Sequence, residues 1–420
     1  MNKTDSMHSK ISILITGANF NNKGAQSMLF ITVSEIRKRF PNSNIYFETL
    51  EIIELSNYKF DSIRVSANTW EMLLGGIGGA IAYIKRFVKD SIRFLLGERK
   101  EIFTEFHNIN ILKKIDYIID ISGFALGDKW DYGHNYLYIL RIKAAKKYNI
   151  PFFILPQSFG PFLYYKRFGI VKSQKLLSML KDNLDYPQII YAREKDGIRC
   201  LDSIGVSKNV RLSTDLVLQS VQLDFNNLFY KPTLFQIPVI NTKNNIGIIP
   251  NIQCSIHCNE NFMLKLYYQI LTYLERYERN IYIVRHSNDD KEVCKKIYNL
   301  LKSNRIHLIN EELSCFQYDG LIKEFDYIIG SRFHGLVHAL KNKIPCIAIG
   351  WSVKYTELMS TVGLENFAFD INTLDSGCNG ILDAIKDMND SFSLKSETIS
   401  DRLVQIQKDN CFSFLDRLEN

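Results

Sequence analysis

Short apolar runs rich in Ile, Leu, Val and Tyr alternate with helical stretches along the chain, and this alternation limits the fold more than any other feature. Runs this short fit buried strands, and helices between them carry the chain back, so successive strands lie parallel in βαβ units. In the first half, strands are expected at 11–16, 45–50, 116–121, 151–155 and 189–192, with helices beginning near Gly24, His134 and Tyr165. The stretch 223–245 is rich in Asn, Pro and Thr, holds no period, and reads as a linker. A second alternation follows, with strands at 246–249, 281–284, 306–308, 327–330 and 345–349. A chain of 420 residues is also too long for one comfortable core. The expected fold is therefore α/β, with two Rossmann-like domains facing a cleft. Residues 1–225 form the first domain with a helical insertion near 65–105, residues 246–390 the second, and 391–420 a C-terminal helix. Ligands in such sheets bind at the carboxyl ends of strands, which makes those loops the place to look for chemistry.

An apolar fraction of 46% with 23% charged residues excludes a disordered chain. The net charge of +7 suits an anionic substrate or a membrane surface. The basic residues are scattered and accompany no nucleic-acid module, so nucleic acid is not an expected partner. The first apolar run ends in Gly17 and Asn19, which marks a strand rather than a signal peptide. The eight cysteines, several beside apolar neighbours as at Cys294 and Cys346, fit reduced thiols and a cytoplasmic chain. The cluster Cys254-Ser-Ile-His257-Cys258 lacks the second pair a zinc site needs, and no motif calls for a metal or cofactor. The Gly-rich apolar stretch starting at Met72 is shorter than the ~20 residues of a membrane span. It runs into a basic amphipathic segment containing Lys85, Arg86, Lys89 and Arg93, so 72–96 is either a surface-packed helix or one lying on anionic lipid.

Among the strand-end loops, Gly330-Ser331-Arg332-Phe333-His334-Gly335 carries the strongest signal. A buried strand ends at Gly330 and a helix starts near His334, where free N–H groups and the helix dipole favour an anion. Arg332 adds a planar fork for phosphate or carboxylate, and His334 can carry a proton near neutral pH. Their simpler roles are an ion pair and a helix cap. Arg193 occupies a similar strand end, as an anion clamp or a partner of Glu194 or Asp196. His286 is followed by Asp289 and Asp290, which can cap the next helix. Asn19 sits in a polar Gly/Asn loop, Asp120 at a strand end beside Ser122 and Gly123, and Gln157 in Pro-Gln-Ser-Phe-Gly-Pro. Asp120 can act as a base for a sugar hydroxyl or simply hold a turn.

These loops, in this order, resemble the polysaccharide pyruvyl transferase family. The matching stretches are 19–26, 119–128, 155–162, 191–197, 213–215, 285–290 and 330–335. The resemblance implies a glycosyltransferase-B-like fold and transfer of pyruvyl from phosphoenolpyruvate to two hydroxyls of one sugar, giving a cyclic ketal. It implies that Arg193 and Arg332 hold the donor's anions, that His334 acts as acid or base, and that Asp120 helps activate the acceptor. Ser331, Phe333, Gly335, His286, Asn19 and Gln157 join them as substrate-binding candidates. The first domain would then face the acceptor and the second the donor. Phosphoenolpyruvate would be a substrate rather than a cofactor, and the acceptor a sugar or lipid-linked oligosaccharide met in the cytoplasm, at or near the inner face of the membrane. Two departures fall on the acceptor side: Ala25-Gln26 in place of an acid, and Phe124-Ala125 in a turn usually richer in glycine. The competing readings are a nucleotide-sugar glycosyltransferase of the same fold and an inert scaffold in polysaccharide assembly.

Overall fold

A computed structural model describes residues 10–51, 53–98, 104–220, 222–241, 243–374 and 377–418. The first sheet contains β1 (Ser12–Thr16), β2 (Asn44–Thr49), β3 (Asp61–Arg64), β4 (Tyr117–Asp120), β5 (Phe124–Leu126), β6 (Phe152–Phe159), β7 (Ile189–Ala192) and β8 (Val210–Leu212). The second contains β9 (Asn245–Ile249), β10 (Asn280–Val284), β11 (Ile306–Ile309), β12 (Tyr327–Gly330), β13 (Cys346–Gly350) and β14 (Ala368–Asp370). Their orders are β3-β2-β1-β4-β6-β7-β8, with β5 on the end of β6, and β11-β10-β9-β12-β13-β14. Central strands such as Ile246–Ile249 and Tyr327–Gly330 are buried on both faces, as a parallel sheet covered by helices requires. Every strand expected from the sequence is present. β3, β5, β8 and β14 add to them; each is only three or four residues long and too short to show a period.

Both sheets reverse their strand order at the centre, between β1 and β4 and between β9 and β12. A crevice opens at the carboxyl ends of such strands, so the loops after these four line it. Helix Lys23–Arg39 follows β1, and Asn22 caps it by accepting from the N–H groups of Gly24 and Ala25. Most of this helix is buried because it wedges between the two domains. Phe30 stacks on Phe316 at 4.8 Å, and Ser27 Oγ meets His338 Nε2 at 3.0 Å. Gln26 also crosses the boundary, its Oε1 accepting from the Cys315 N–H at 3.0 Å.

The segment expected to be a linker is bound rather than slack. Phe229 bridges to Tyr58, and Phe235 packs on Phe316 with centroids 4.5 Å apart. The C-terminal helix begins earlier than expected, at Asn379, and runs to Lys408 with a local break at Ser391. The chain then returns to the first domain as a short 3-10 turn, where Phe414 stacks on Phe153 at 4.3 Å and the Cys411 N–H donates to Gln219. The two domains therefore close onto each other from both ends of the chain.

Candidate active site

The turn after β12 places Arg332 at the N-cap of helix Phe333–Lys341, and among the described residues no side-chain cap bond is made to the first helical N–H groups. Across the crevice stands the start of helix Lys23–Arg39. The two surfaces touch: a Cβ on Gly24 would lie 2.2 Å from His334 Cγ. Only glycine leaves room for the imidazole there. Gly24→Ala is expected to push His334 aside and to lower turnover by at least about tenfold, since small misplacements of reacting groups are costly. Unchanged turnover would show that the observed His334 position is not the working one.

Asp215, almost fully buried, lies 3.9 Å from His334 Nε2 and accepts from Arg193 Nη1 at 2.8 Å. Arg193 also donates from Nε to Glu194 at 2.9 Å and from Nη2 to Ser158 at 2.6 Å, and its guanidinium lies 4.4 Å above the Phe333 ring. Arg332 forms a bidentate pair with the fully buried Asp290, both contacts at 2.6 Å. These bonds use Nε and Nη2 and leave Nη1 as the edge open to a ligand.

His286 is buried, and neither ring nitrogen has a partner among the described residues. Its pKa lies well below the ordinary value, first because burial penalises the cation, then because Lys23, Arg332, His334 and His338 surround it. Lys23 is itself buried and donates from Nζ to the His286 carbonyl at 2.5 Å. Burial likewise brings the His334 pKa down to about 4, opposed by Asp215 and reinforced by Arg193, His338 and Lys354. His334 Nε2 also lacks a hydrogen-bond partner among the described residues. Two neutral imidazoles with unsatisfied nitrogens thus sit within a cluster of cations, an arrangement ready to meet an anion.

Lys354, just beyond β13, completes the cluster. It lies 5.3 Å over the Phe333 ring and forms no ion pair among the described residues; burial lowers its pKa to about 8. With Lys129, Ser158, Gly160 and Glu194 it lines a cleft of about 230 Å³.

Other residues singled out from the sequence play supporting parts. Ser331 is fully buried, its Oγ 3.0 Å from the Tyr267 hydroxyl, so it faces the core and not a ligand. Gly335 permits close packing, since a Cβ there would be 3.1 Å from Ile249. Asn19 shapes its own turn by accepting from the Asn22 N–H at 2.9 Å. Asp120 has no exposure, and its carboxylate accepts from Thr16, Ser122, Tyr138 and Gln157. With its lone pairs engaged and no route to solvent, Asp120 is built to position the loop after β4, and direct contact with a substrate hydroxyl does not fit. Gln157 is equally buried and ties this network to Arg193, whose backbone N–H donates to the Gln157 carbonyl at 2.9 Å. The Cys254 cluster diverges. Cys254 is a buried thiol with its pKa pushed up to about 12, while His257 stacks on Trp351 at 5.3 Å. Among the described residues no three His, Cys, Asp or Glu side chains converge on a metal position.

Comparison with known sequences separates the candidate families. The description of polysaccharide pyruvyl transferases matches residues 22–353, from the cap of the first helix to the residue before Lys354. The chain belongs to the polysaccharide pyruvyl transferase family. No curated protein is a significant match. Among solved structures, the UDP-GlcNAc 2-epimerase from Neisseria meningitidis bound to UDP-GlcNAc has a TM-score of 0.54 at 12% identity, covering 98% of this chain and 100% of that one. The UDP-GlcNAc 2-epimerase from Methanocaldococcus jannaschii has a TM-score of 0.50 at 15% identity, covering 90% and 92%. At these identities the likeness establishes the GT-B fold. For this pyruvyl transferase family member, the strand-end loops singled out in the sequence from residue 119 to residue 335 all lie inside the matched region.

Proposed function

We propose that the chain transfers a pyruvyl group from phosphoenolpyruvate to two hydroxyls of one sugar in a cell-surface polysaccharide or its precursor, forming a cyclic ketal. The observation that carries this reading is the incompletely neutralised cationic cluster around His334, where Lys354 and one edge of Arg332 remain open. A donor bearing both a phosphate and a carboxylate matches two such positions on one small molecule. His334, neutral in the free protein, takes up a proton as the donor's anions offset its cationic neighbours and gives it to the donor's methylene carbon as the first sugar oxygen bonds to the central carbon. Phosphate then leaves with its bridging oxygen, and the second hydroxyl closes the ketal. Of the two hydroxyl protons, one ends on the new methyl group and the other on phosphate. Arg193 acts mainly by fixing Phe333 and Asp215, because each of its three guanidinium nitrogens already donates to a protein side chain. No cofactor enters this scheme, and phosphoenolpyruvate is consumed as substrate.

The test is phosphate release from phosphoenolpyruvate across a panel of free and lipid-linked sugars, alongside thermal shift with phosphoenolpyruvate and with nucleoside diphosphates. Acceptor-dependent release supports pyruvyl transfer. Stabilisation by a nucleoside diphosphate alone, without release, would favour a nucleotide-sugar reaction on the same fold.

Lys354 makes a separate prediction. With a pKa of about 8 it loses its charge as pH rises through that value, so donor affinity should weaken on the alkaline side. Lys354→Arg, which stays charged, is expected to carry tight donor binding to higher pH. Lys354→Met should weaken the donor by about tenfold or more at pH 7, the scale of one charge-assisted contact. Identical pH profiles for wild type and Lys354→Arg would remove Lys354 from the donor site.

A further inference from the structure

Helix Gly76–Leu95 is built inside out. Its buried positions are Gly79, Ala82, Arg86 and Asp90, a stripe with little apolar bulk. The stripe is held by polar contacts: Arg86 donates to Asp90 at 2.9 Å and to Glu105 at 2.6 Å, and Glu105 also accepts from Ser66 and Thr69. Gly79 allows close approach to the preceding helix, since a Cβ would lie 2.7 Å from the Glu71 carbonyl.

The large apolar side chains point the other way. Ile77, Ile81, Ile84, Val88, Ile92 and Leu95 recur at intervals of three and four residues, which puts them on one helical face. All six are exposed, Ile77 by 83%, Ile84 by 61% and Leu95 by 82%. A water-facing helix normally reverses this arrangement, so the face needs an apolar environment outside the fold. Among the described residues no helix is long and apolar enough to cross a membrane. A helix with an apolar face and a basic rim lies instead in the plane of the membrane interface.

We propose that Gly76–Leu95 docks the protein onto an anionic lipid surface, with its isoleucine face at the acyl boundary and Lys85 and Lys89 at the headgroups. Charge favours lipid over a second copy of the chain. Lys85 and Lys89 are exposed beside the apolar face, while the one acid on the helix, Asp90, is buried. Two-fold pairing of the helix with itself would supply no exposed acid from this helix to meet those lysines. The preceding helix, Ala67–Leu74, follows β3, the outermost strand of the first sheet, so the docking face is rooted on the edge of the first domain. The inference does not depend on the reaction proposed above.

The experiment is co-sedimentation of the full chain with phosphatidylcholine vesicles, with and without phosphatidylglycerol, at low and high salt. Wild type is expected to pellet with the anionic vesicles, and less so as salt rises. Ile84→Glu/Val88→Glu should stay in the supernatant while keeping the wild-type melting temperature, because both positions are already in water. Lys85→Glu/Lys89→Glu should lower the partition coefficient by about tenfold or more, from two charges each attracted to the anionic surface. The proposal is overturned if wild type does not pellet, if the apolar double variant pellets equally well, or if charge reversal leaves binding unchanged. Ultracentrifugation revealing a dimer that Ile84→Glu/Val88→Glu dissociates, without vesicle binding by wild type, would assign the face to self-association. Failure on vesicles with intact phosphate release on a water-soluble acceptor would leave pyruvyl transfer standing.

Discussion

Replacing His334 with glutamine is expected to lower acceptor-dependent phosphate release by about 10²–10⁴-fold, the range attributed to a positioned proton donor or acceptor. Glutamine fills similar space and can still hydrogen-bond, so the helix start and the contact with Gly24 should survive. A larger share of the loss should therefore fall on kcat than on donor KM. A second consequence separates proton transfer from packing. With a pKa of about 4, His334 is neutral at pH 7 in the free protein because burial and the neighbouring Arg193, His338 and Lys354 outweigh Asp215. A bound phosphate and carboxylate would offset those cations and raise the pKa, so donor binding draws a proton from solution and affinity improves as pH falls toward the free value. The donor's own phosphate titrates nearby, which makes the difference between wild type and His334→Gln the informative quantity. Calorimetry in two buffers of different ionisation enthalpy should reveal more proton uptake for wild type. Equal uptake in both proteins, with turnover preserved in His334→Gln, would take His334 out of the chemistry.

Strand positions were legible because buried parallel strands need unbroken apolar runs, and the topology rule then pointed to the loops that meet in the crevice. Arg332, His334, His286 and Arg193 were found this way, from residues adjacent to strand ends. What the sequence could not supply was pairing between distant loops. Asp120 looks like a free acid in isolation, yet it is occupied by Thr16, 104 residues away, and by Tyr138 and Gln157 on two other elements. Asp215 and Lys23 drew little notice because their value comes from touching Arg193 and His286 across the fold. Lys354 was missed for a different reason. Its loop, Trp351-Ser352-Val353, has no glycine or histidine to mark it, although it follows a strand as the others do. The inverted helix was partly visible in its amphipathic pattern, but the pattern cannot say which face the fold covers. That answer required Arg86, Asp90 and Glu105 to be seen together.

Asp290→Ala should produce the largest loss of stability, about 3–5 kcal/mol, the scale for removing one partner of a buried ion pair. Asp290 has no exposure and accepts four hydrogen bonds, two from Arg332 at 2.6 Å and one each from the N–H groups of Ile252 and Ser287 at 3.1 Å. Alanine leaves the guanidinium without its counter-charge and strands two backbone donors. Asparagine should not rescue the site, because its amide NH2 would face a position where all four partners are donors. The pairing predicts strong coupling in a double-mutant cycle followed by urea unfolding: Arg332→Ala should cost much less in an Asp290→Ala background than in wild type. Additive penalties would mean that the two side chains do not depend on each other. The same geometry links stability to chemistry. By holding Nε and Nη2, Asp290 fixes the plane of Arg332 and leaves Nη1 as its open edge, so Arg332→Lys retains the charge but loses that division of labour. Donor binding should accordingly weaken in Arg332→Lys even where folding stability is largely kept.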